Sequence, residues 1–196
     1  MKLSSPQSAL HGRLGVTFVE VMIAVGLGSI VLAAVASLTM YAAKASLAMV
    51  NYTDLDTKSR YALDIISREI RQSSGVLSCS SNSTSSTLIL TNADQAATVT
   101  LTYYPNSRAV VMSKTGQADF TALMQCDTWN YSLYQRTPYI TPTNVLYYPA
   151  TNTAGVFDPN LVKLINLSWK CSRTIFAQKV NTESVQAAQI VLRSKQ

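Results

Sequence analysis

Between Glu20 and Lys44 the sequence runs for 23 residues, Val21 to Ala43, without a charged side chain. A helix of that length measures roughly 34 Å at about 1.5 Å per residue. The hydrocarbon core of a bilayer is about 30 Å thick, so the segment is long enough to cross it. A chain of 196 residues has room for one domain with a core plus one such extended element. Apolar residues make up 47 % of the chain against 13 % charged, and the apolar excess is gathered at this end.

Charge and rare residues narrow the function classes. The formal net charge is +6, and Lys2 and Arg13 precede the apolar run, which leaves +4 downstream without a dense basic patch for nucleic acid. The one histidine, His11, also precedes the run, so histidine triads, Cys-His pairs and histidine-based metal sites have no imidazole downstream. Cys79, Cys126 and Cys171 lie 47 and 45 residues apart with no CxxC, a spacing that fits one disulfide and a spare thiol outside the cytoplasm. No metal site and no cofactor is expected.

The run itself has three readings. It is a plain anchor, oriented by Lys2 and Arg13 with the amino end in the cytoplasm; or a secretory signal cut at Ala34-Val35-Ala36; or something that gives Glu20 a purpose. The uncharged run continues past Ala36 to Ala43, which weakens the signal reading. A carboxylate near lipid costs up to about 3 kcal/mol unless it reaches the interface, which the plain anchor leaves unexplained.

The string Gly15-Val-Thr-Phe-Val-Glu20-Val-Met-Ile-Ala-Val25 resembles the processing motif of type IV prepilins. In that family a basic leader ends in glycine, apolar residues follow, and a glutamate stands fifth after the cut. The resemblance places the cut after Gly15, with Val16 as the first mature residue in place of the more usual phenylalanine, and Glu20 as the fifth. It implies N-methylation of the Val16 amine, prepilin peptidase and an inner-membrane assembly platform as partners, and packing against other pilin or pseudopilin subunits. Glu20 would then face a neighbour's amino-terminal cation within the filament, a costly charge turned into a register-setting contact. A second role also fits the residue itself: a carboxylate at a helix amino end, or snorkelling to the headgroups.

Helical periodicity continues beyond the apolar run. Leu55, Ser59, Ala62, Leu63, Ile66 and Ile70 share one face, and Asp56 with Arg60 and Asp64 with Arg68 form i,i+4 pairs on the other. One helix from about 16 to 73 is expected, with Gly26 and Gly28 as soft points in its apolar half. Residues 60–79, RYALDIISREIRQSSGVLSC, are similar to the helix end of W-type minor pilins and J-type pseudopilins. The expected architecture is α+β: a leader over 1–15, a helix over 16–75 (transmembrane over 16–43, amphipathic over 44–75), and a β-rich head over 76–196.

Within the head, strands are expected at 87–91, 97–104 and 108–113 as an antiparallel meander, and again at 161–170, 173–180 and 186–193. The serine-rich 78–87 reads as a polar loop, and 114–160, rich in Tyr, Thr, Asn and Pro, as a long excursion from the sheet. Ile165, Leu167, Trp169 and Cys171 alternate onto one buried face. Because Cys79 and Cys126 fall in polar sequence, the expected disulfide is Cys79–Cys126, with Cys171 free and buried.

Three further groups have a functional and a plain reading. Tyr103, Tyr104, Tyr131, Tyr134, Tyr139, Tyr147 and Tyr148 are a stacking surface or ordinary packing. Asp119, Asp127 and Asp158 lack the D-x-D-x-D spacing of a calcium loop. Arg108, Lys114, Arg136, Lys163, Lys170, Arg173, Lys179, Arg193 and Lys195 are a DNA-facing strip if they converge, and solvated charge if they do not. The resemblance implies a non-catalytic minor subunit of a pilus or secretion pseudopilus, in the inner membrane with its head in the periplasm. An adhesin or DNA-binding module using 114–160 is the rival from another class.

Overall fold

The computed structural model describes residues 15–91, 97–135, 139–140, 145–174 and 183–192. Outside these lie residues 1–14 of the expected leader, with Lys2, His11 and Arg13, and also Arg136, Lys179, Arg193 and Lys195. A single helix, α1, spans Phe18–Gln72, within two residues of 16 and 73 but three short of the 75 given to the helical segment, because Gly75 already opens a strand. The chain divides into two compact units at Ala45/Ser46.

In the first unit α1 is exposed at every position from Phe18 to Ala45. It is the one helix among the described residues that is long and apolar enough to cross a membrane. Gly26 and Gly28 sit inside it without breaking it.

The second unit, from Ser46, is an α+β head. Leu55, Ser59, Ala62, Ile66 and Ile70, spaced three or four apart, are the buried positions of α1, and Leu63 packs half-buried beside them. Outside this stripe the helix carries the expected ion pairs, Asp56–Arg60 at 2.7 Å and Asp64–Arg68 at 3.2 Å, and one more, Asp54–Lys58 at 3.0 Å.

The chain then forms a five-stranded antiparallel meander: β1 (Gly75–Ser81), β2 (Ser86–Thr91), β3 (Thr98–Tyr104), β4 (Ala109–Lys114) and β5 (Phe120–Leu123), neighbours in that order. It continues through β6 (Cys126–Tyr134), a short hairpin of β7 (Tyr139–Ile140) with β8 (Val145–Leu146), then β9 (Leu164–Ser172) and β10 (Glu183–Val191). The second sheet has the order β10-β9-β6, all antiparallel.

Both sheets turn apolar faces into one core. Leu88, Leu90, Val99, Leu101 and Val110 come from the first sheet, and Ile165, Leu167, Trp169 and Ile190 from the second. The four alternating residues expected on β9, Ile165 to Cys171, are all buried. Helix α1 touches both sheets: Trp169 Nε1 donates to Ser59 Oγ at 2.8 Å inside the core, and Lys114 of β4 pairs with Glu69 at 3.1 Å.

Three expectations are corrected. The serine-rich 78–87 is a hairpin, in which β1 runs to Ser81 and β2 starts at Ser86. Its turn is held by Asn82 Oδ1, which accepts from the amides of Thr84 and Ser85. Polar composition suits β1 because it is an edge strand with most side chains outside the core. The excursion at 114–160 contains β5 and the nine-residue β6, where Trp129, Tyr131 and Leu133 alternate with exposed Thr128, Asn130 and Ser132. Of the strand expected at 173–180, Arg173 and Thr174 belong to no strand, and the rest falls outside the described residues.

The buried stripe of α1 makes a measurable distinction. Ile66→Ala is expected to lower the unfolding free energy of the head by about 3 kcal/mol. Tyr61→Ala, on the exposed face of the same helix, should change it by less than about 0.5 kcal/mol. Denaturant titration of the detergent-solubilised chain, followed by tryptophan fluorescence, separates the two.

Candidate functional site

The start of α1 is built from four residues. Thr17 is the cap: its Oγ1 accepts from the Glu20 amide at 3.3 Å. In return Glu20 Oε2 accepts from the Thr17 amide at 3.2 Å and from the Thr17 hydroxyl at 3.3 Å. This reciprocal T-x-x-E arrangement is a capping box, which satisfies amides that the first helical turn leaves unpaired. The carboxylate also lies at the positive end of the helix dipole. Glu20 therefore has a function within its own chain, the helix-end role weighed above, and Thr17 is the partner that the sequence reading missed.

Gly15 and Val16 precede the cap in non-helical backbone and are exposed. A Cβ placed on Gly15 would meet nothing within 4 Å, so the glycine is not required there by any contact in the folded chain.

The apolar half of α1 closes its polar side chains on itself. Ser29 donates to Gly26 O, Ser37 to Ala34 O and Thr39 to Ala36 O, at 2.8, 2.8 and 2.9 Å. Hydroxyls satisfied by the preceding turn can enter hydrocarbon without an unpaired donor. Tyr41, with its hydroxyl, stands at the end of the uncharged run just before Lys44, where an interfacial aromatic belongs.

In the head, the sequence-selected groups have separate structural tasks. Tyr103 is buried and donates to the carbonyls of Cys126 and Asp127, and burial, with Cys126 and Asp127 nearby, pushes its phenol above the usual range. Tyr131 donates to Ser80 and Thr87, joining β6 to the first sheet. The Tyr134 and Tyr147 rings meet at 4.9 Å, while the Tyr139 side chain lies outside the described residues. Asp158 caps a short 3-10 turn at Pro159–Leu161. Asp119 is exposed on the approach to β5, and Asp127 is ion-paired, so the three acids occupy three distinct settings. Among the described residues no group of three His, Cys, Asp or Glu is placed to hold a metal ion.

Four of the basic residues are held by acids: Arg108 by Asp127, Lys114 by Glu69, Lys170 by Glu183 and Arg173 by Asp54. Hydrogen bonds from Lys58 and then Arg173 hold the Asp54 carboxyl below its usual range. Side chains paired in this way do not form the convergent strip that a phosphate backbone requires.

Arg108 and Gln125 are the two described non-glycine residues with positive φ, 52° and 60°. Such conformations cost about 1 kcal/mol each and persist only where the surroundings enforce them. Here they are enforced by one another's neighbours. Arg108 donates to the carbonyls of Ser172 and Gln125, pairs with Asp127 at 2.5 Å, and its own carbonyl accepts from the Cys126 amide at 2.8 Å. Ser172 Oγ donates to Asp127 as well. The turn before β4 is thereby fastened to the beginning of β6 and the end of β9.

The cysteines are arranged differently from the expected pairing. Cys79 and Cys126 are not bridged; Cys126 opens β6, buried, and stands in register with Cys171 on β9. Cys79 is half-buried on β1, in register with Leu88 in the other sheet. Cys126 was assigned to a loop because its polar flanks, Gln125 and Asp127, hid the start of a strand.

Compared with protein-family models, curated proteins and solved structures, the chain matches none. The functional reading therefore rests on the residues and the geometry.

Two substitutions test these local assemblies. Thr17→Val should destabilise the helix start by about 1 kcal/mol and speed amide exchange at Phe18 to Val21 about fivefold, measured by hydrogen–deuterium exchange in micelles. Arg108→Ala leaves the Asp127 carboxylate without its cation and should cost about 2 kcal/mol of head stability. Arg68→Ala, which removes an exposed helix pair, should cost less than about 0.5 kcal/mol in the same denaturation assay.

Proposed function

We propose that this chain is a non-catalytic structural subunit of the type IV pilin and pseudopilin kind, cut by prepilin peptidase after Gly15 and assembled with related subunits into a filament. One conjunction supports the reading. An exposed, non-helical Gly15–Val16 peptide stands immediately before a capped helix whose carboxylate is fifth after the cut and whose next seven turns are apolar and uncovered. A helix with that surface is stable only against lipid or against other such helices.

Cutting after Gly15 creates an amine on Val16 and leaves the capping box intact, because its three donors, the Thr17 amide and hydroxyl and the Glu20 amide, lie beyond the cut. Glu20 Oε2 takes those bonds, while Oε1 accepts none among the described residues. That oxygen is the acceptor for a neighbouring subunit's N-methylated Val16 cation in the dry filament core, where a charge-assisted bond at the right distance rewards correct stagger.

In the membrane stage, Lys2 and Arg13 retain the amino end in the cytoplasm and the head, from Ser46, lies on the periplasmic side. The head, with a length and a β6–β10 segment beyond the five-strand meander, acts as a minor subunit of the W or J kind, making lateral or tip contacts that start or end a filament.

Intact mass of the chain extracted from membranes of cells that carry a prepilin peptidase tests this directly. The expected mass begins at Val16 and carries one methyl group, and Gly15→Leu should restore a chain beginning at Met1. Glu20→Gln, which keeps the cap's hydrogen bonds and removes the charge, should be cut normally yet lose at least tenfold in recovery from sheared filament fractions. A wild-type mass beginning at Met1 would end the proposal.

A further inference from the structure

Cys126 and Cys171 are directly opposite residues of antiparallel β6 and β9. The type of ladder position matters. On the adjacent rung, Ser172 N donates to Gln125 O at 3.0 Å, which makes Gln125 and Ser172 the hydrogen-bonded pair. Cys126 N donates instead to Arg108 O at 2.8 Å, away from β9. The Cys126/Cys171 rung is therefore the non-hydrogen-bonded kind, in which opposite Cα atoms are about 4.5 Å apart and side chains on one face come closest. That separation is within the range of about 4.4–6.8 Å which a disulfide spans.

Both side chains turn to the same face. Each residue is 0 % exposed; the register shifts by one residue between Cys126 and Thr128, a bulge that returns Trp129 to the inward face, where it meets Trp169, stacked with ring centroids 5.4 Å apart. Cys79 is in the other sheet, opposite Leu88, and is not part of this rung.

We infer that Cys126 and Cys171 form a cross-strand disulfide in the mature protein, which staples β6 to β9 and leaves Cys79 as the free thiol. The inference rests on the extracytoplasmic placement of the head given above. Two thiols become one S–S bond by losing two protons and two electrons; the electrons pass to an external disulfide, of a protein oxidant or of oxidised glutathione, which leaves as two thiols. The first cysteine attacks as thiolate to give a mixed disulfide, and the second displaces the reduced oxidant. Both thiols are fully buried in the folded chain and out of reach of an external disulfide, so this exchange belongs to folding, before β6 closes on β9. The bond encloses residues 127–170, most of the segment read from sequence as an excursion.

The test is thiol mapping of the full chain. Cells are quenched with acid, free thiols blocked with N-ethylmaleimide, and the detergent-extracted protein is digested with trypsin without reduction. The expected product joins the peptide Thr115–Arg136 to the tripeptide Cys171–Arg173, and only the Cys79 peptide carries the maleimide. Cys79→Ser should keep the joined product, and Cys126→Ser or Cys171→Ser should lose it. Reduction of the purified protein should lower its Tm by about 10 °C.

In parallel, the full chain is unfolded, reduced and refolded in detergent with a mixture of reduced and oxidised glutathione. A joined product in which Cys79 replaces either partner, or three blocked thiols after this refolding, would overturn the strand geometry. Three blocked thiols from cells together with a joined product after refolding would overturn the bridge as a native bond and locate the failure in the assumed compartment. Cleavage after Gly15 is read separately, from the amino-terminal mass, so failure of the filament reading does not imitate failure of the bridge.

Discussion

The head depends on one stripe of α1. Leu55, Ser59, Ala62, Ile66 and Ile70 are the side chains of the helix that are buried in the core, with Leu63 half-buried beside them, and residues of both sheets share that core. The stripe is narrow and mixes large residues with two small ones. Ser59 and Ala62 leave room for Trp169, whose indole then needs an acceptor, and the Ser59 hydroxyl supplies it at 2.8 Å. Burial of an aromatic of that size contributes several kcal/mol at about 25 cal/mol per Å², and the hydrogen bond prevents its polar atom from taking much of that back. The three strands of the second sheet inherit their position from this contact.

The two halves of α1 solve opposite problems with the same periodicity. From Ser46 onward one face is apolar and i,i+4 pairs lie outside it, so the helix is satisfied within the head. Before Ala45 no face is polar, and there is no core to receive it. A helix that is apolar all round over this length is long and apolar enough to cross a bilayer.

Much of this was legible from residues because it follows from local rules. Charge-free length, a 3.6-residue stripe and acid-base pairs four apart fixed the helix to within three residues at each end, and simple alternation identified the buried face of β9. What escaped notice is equally physical. Serines in 78–81 were taken for a loop because an edge strand tolerates polar side chains on nearly every position. Strand β6 was missed because its inward residues, Trp129 and Tyr131, sit among Asn, Ser and Thr, and because its start is defined by a contact from 18 residues upstream, the Arg108 carbonyl. The positive-φ pair Arg108 and Gln125 has no sequence signal, since neither residue type favours that conformation. The capping box is legible as T-x-x-E, a local pattern that needs no tertiary contact to form.

The hydroxyls of Ser29, Ser37 and Thr39 each return to a carbonyl one turn back. Each of these donors is spent inside the helix, so what the apolar half presents to its surroundings is a surface recognised by its shape rather than by donated hydrogen bonds.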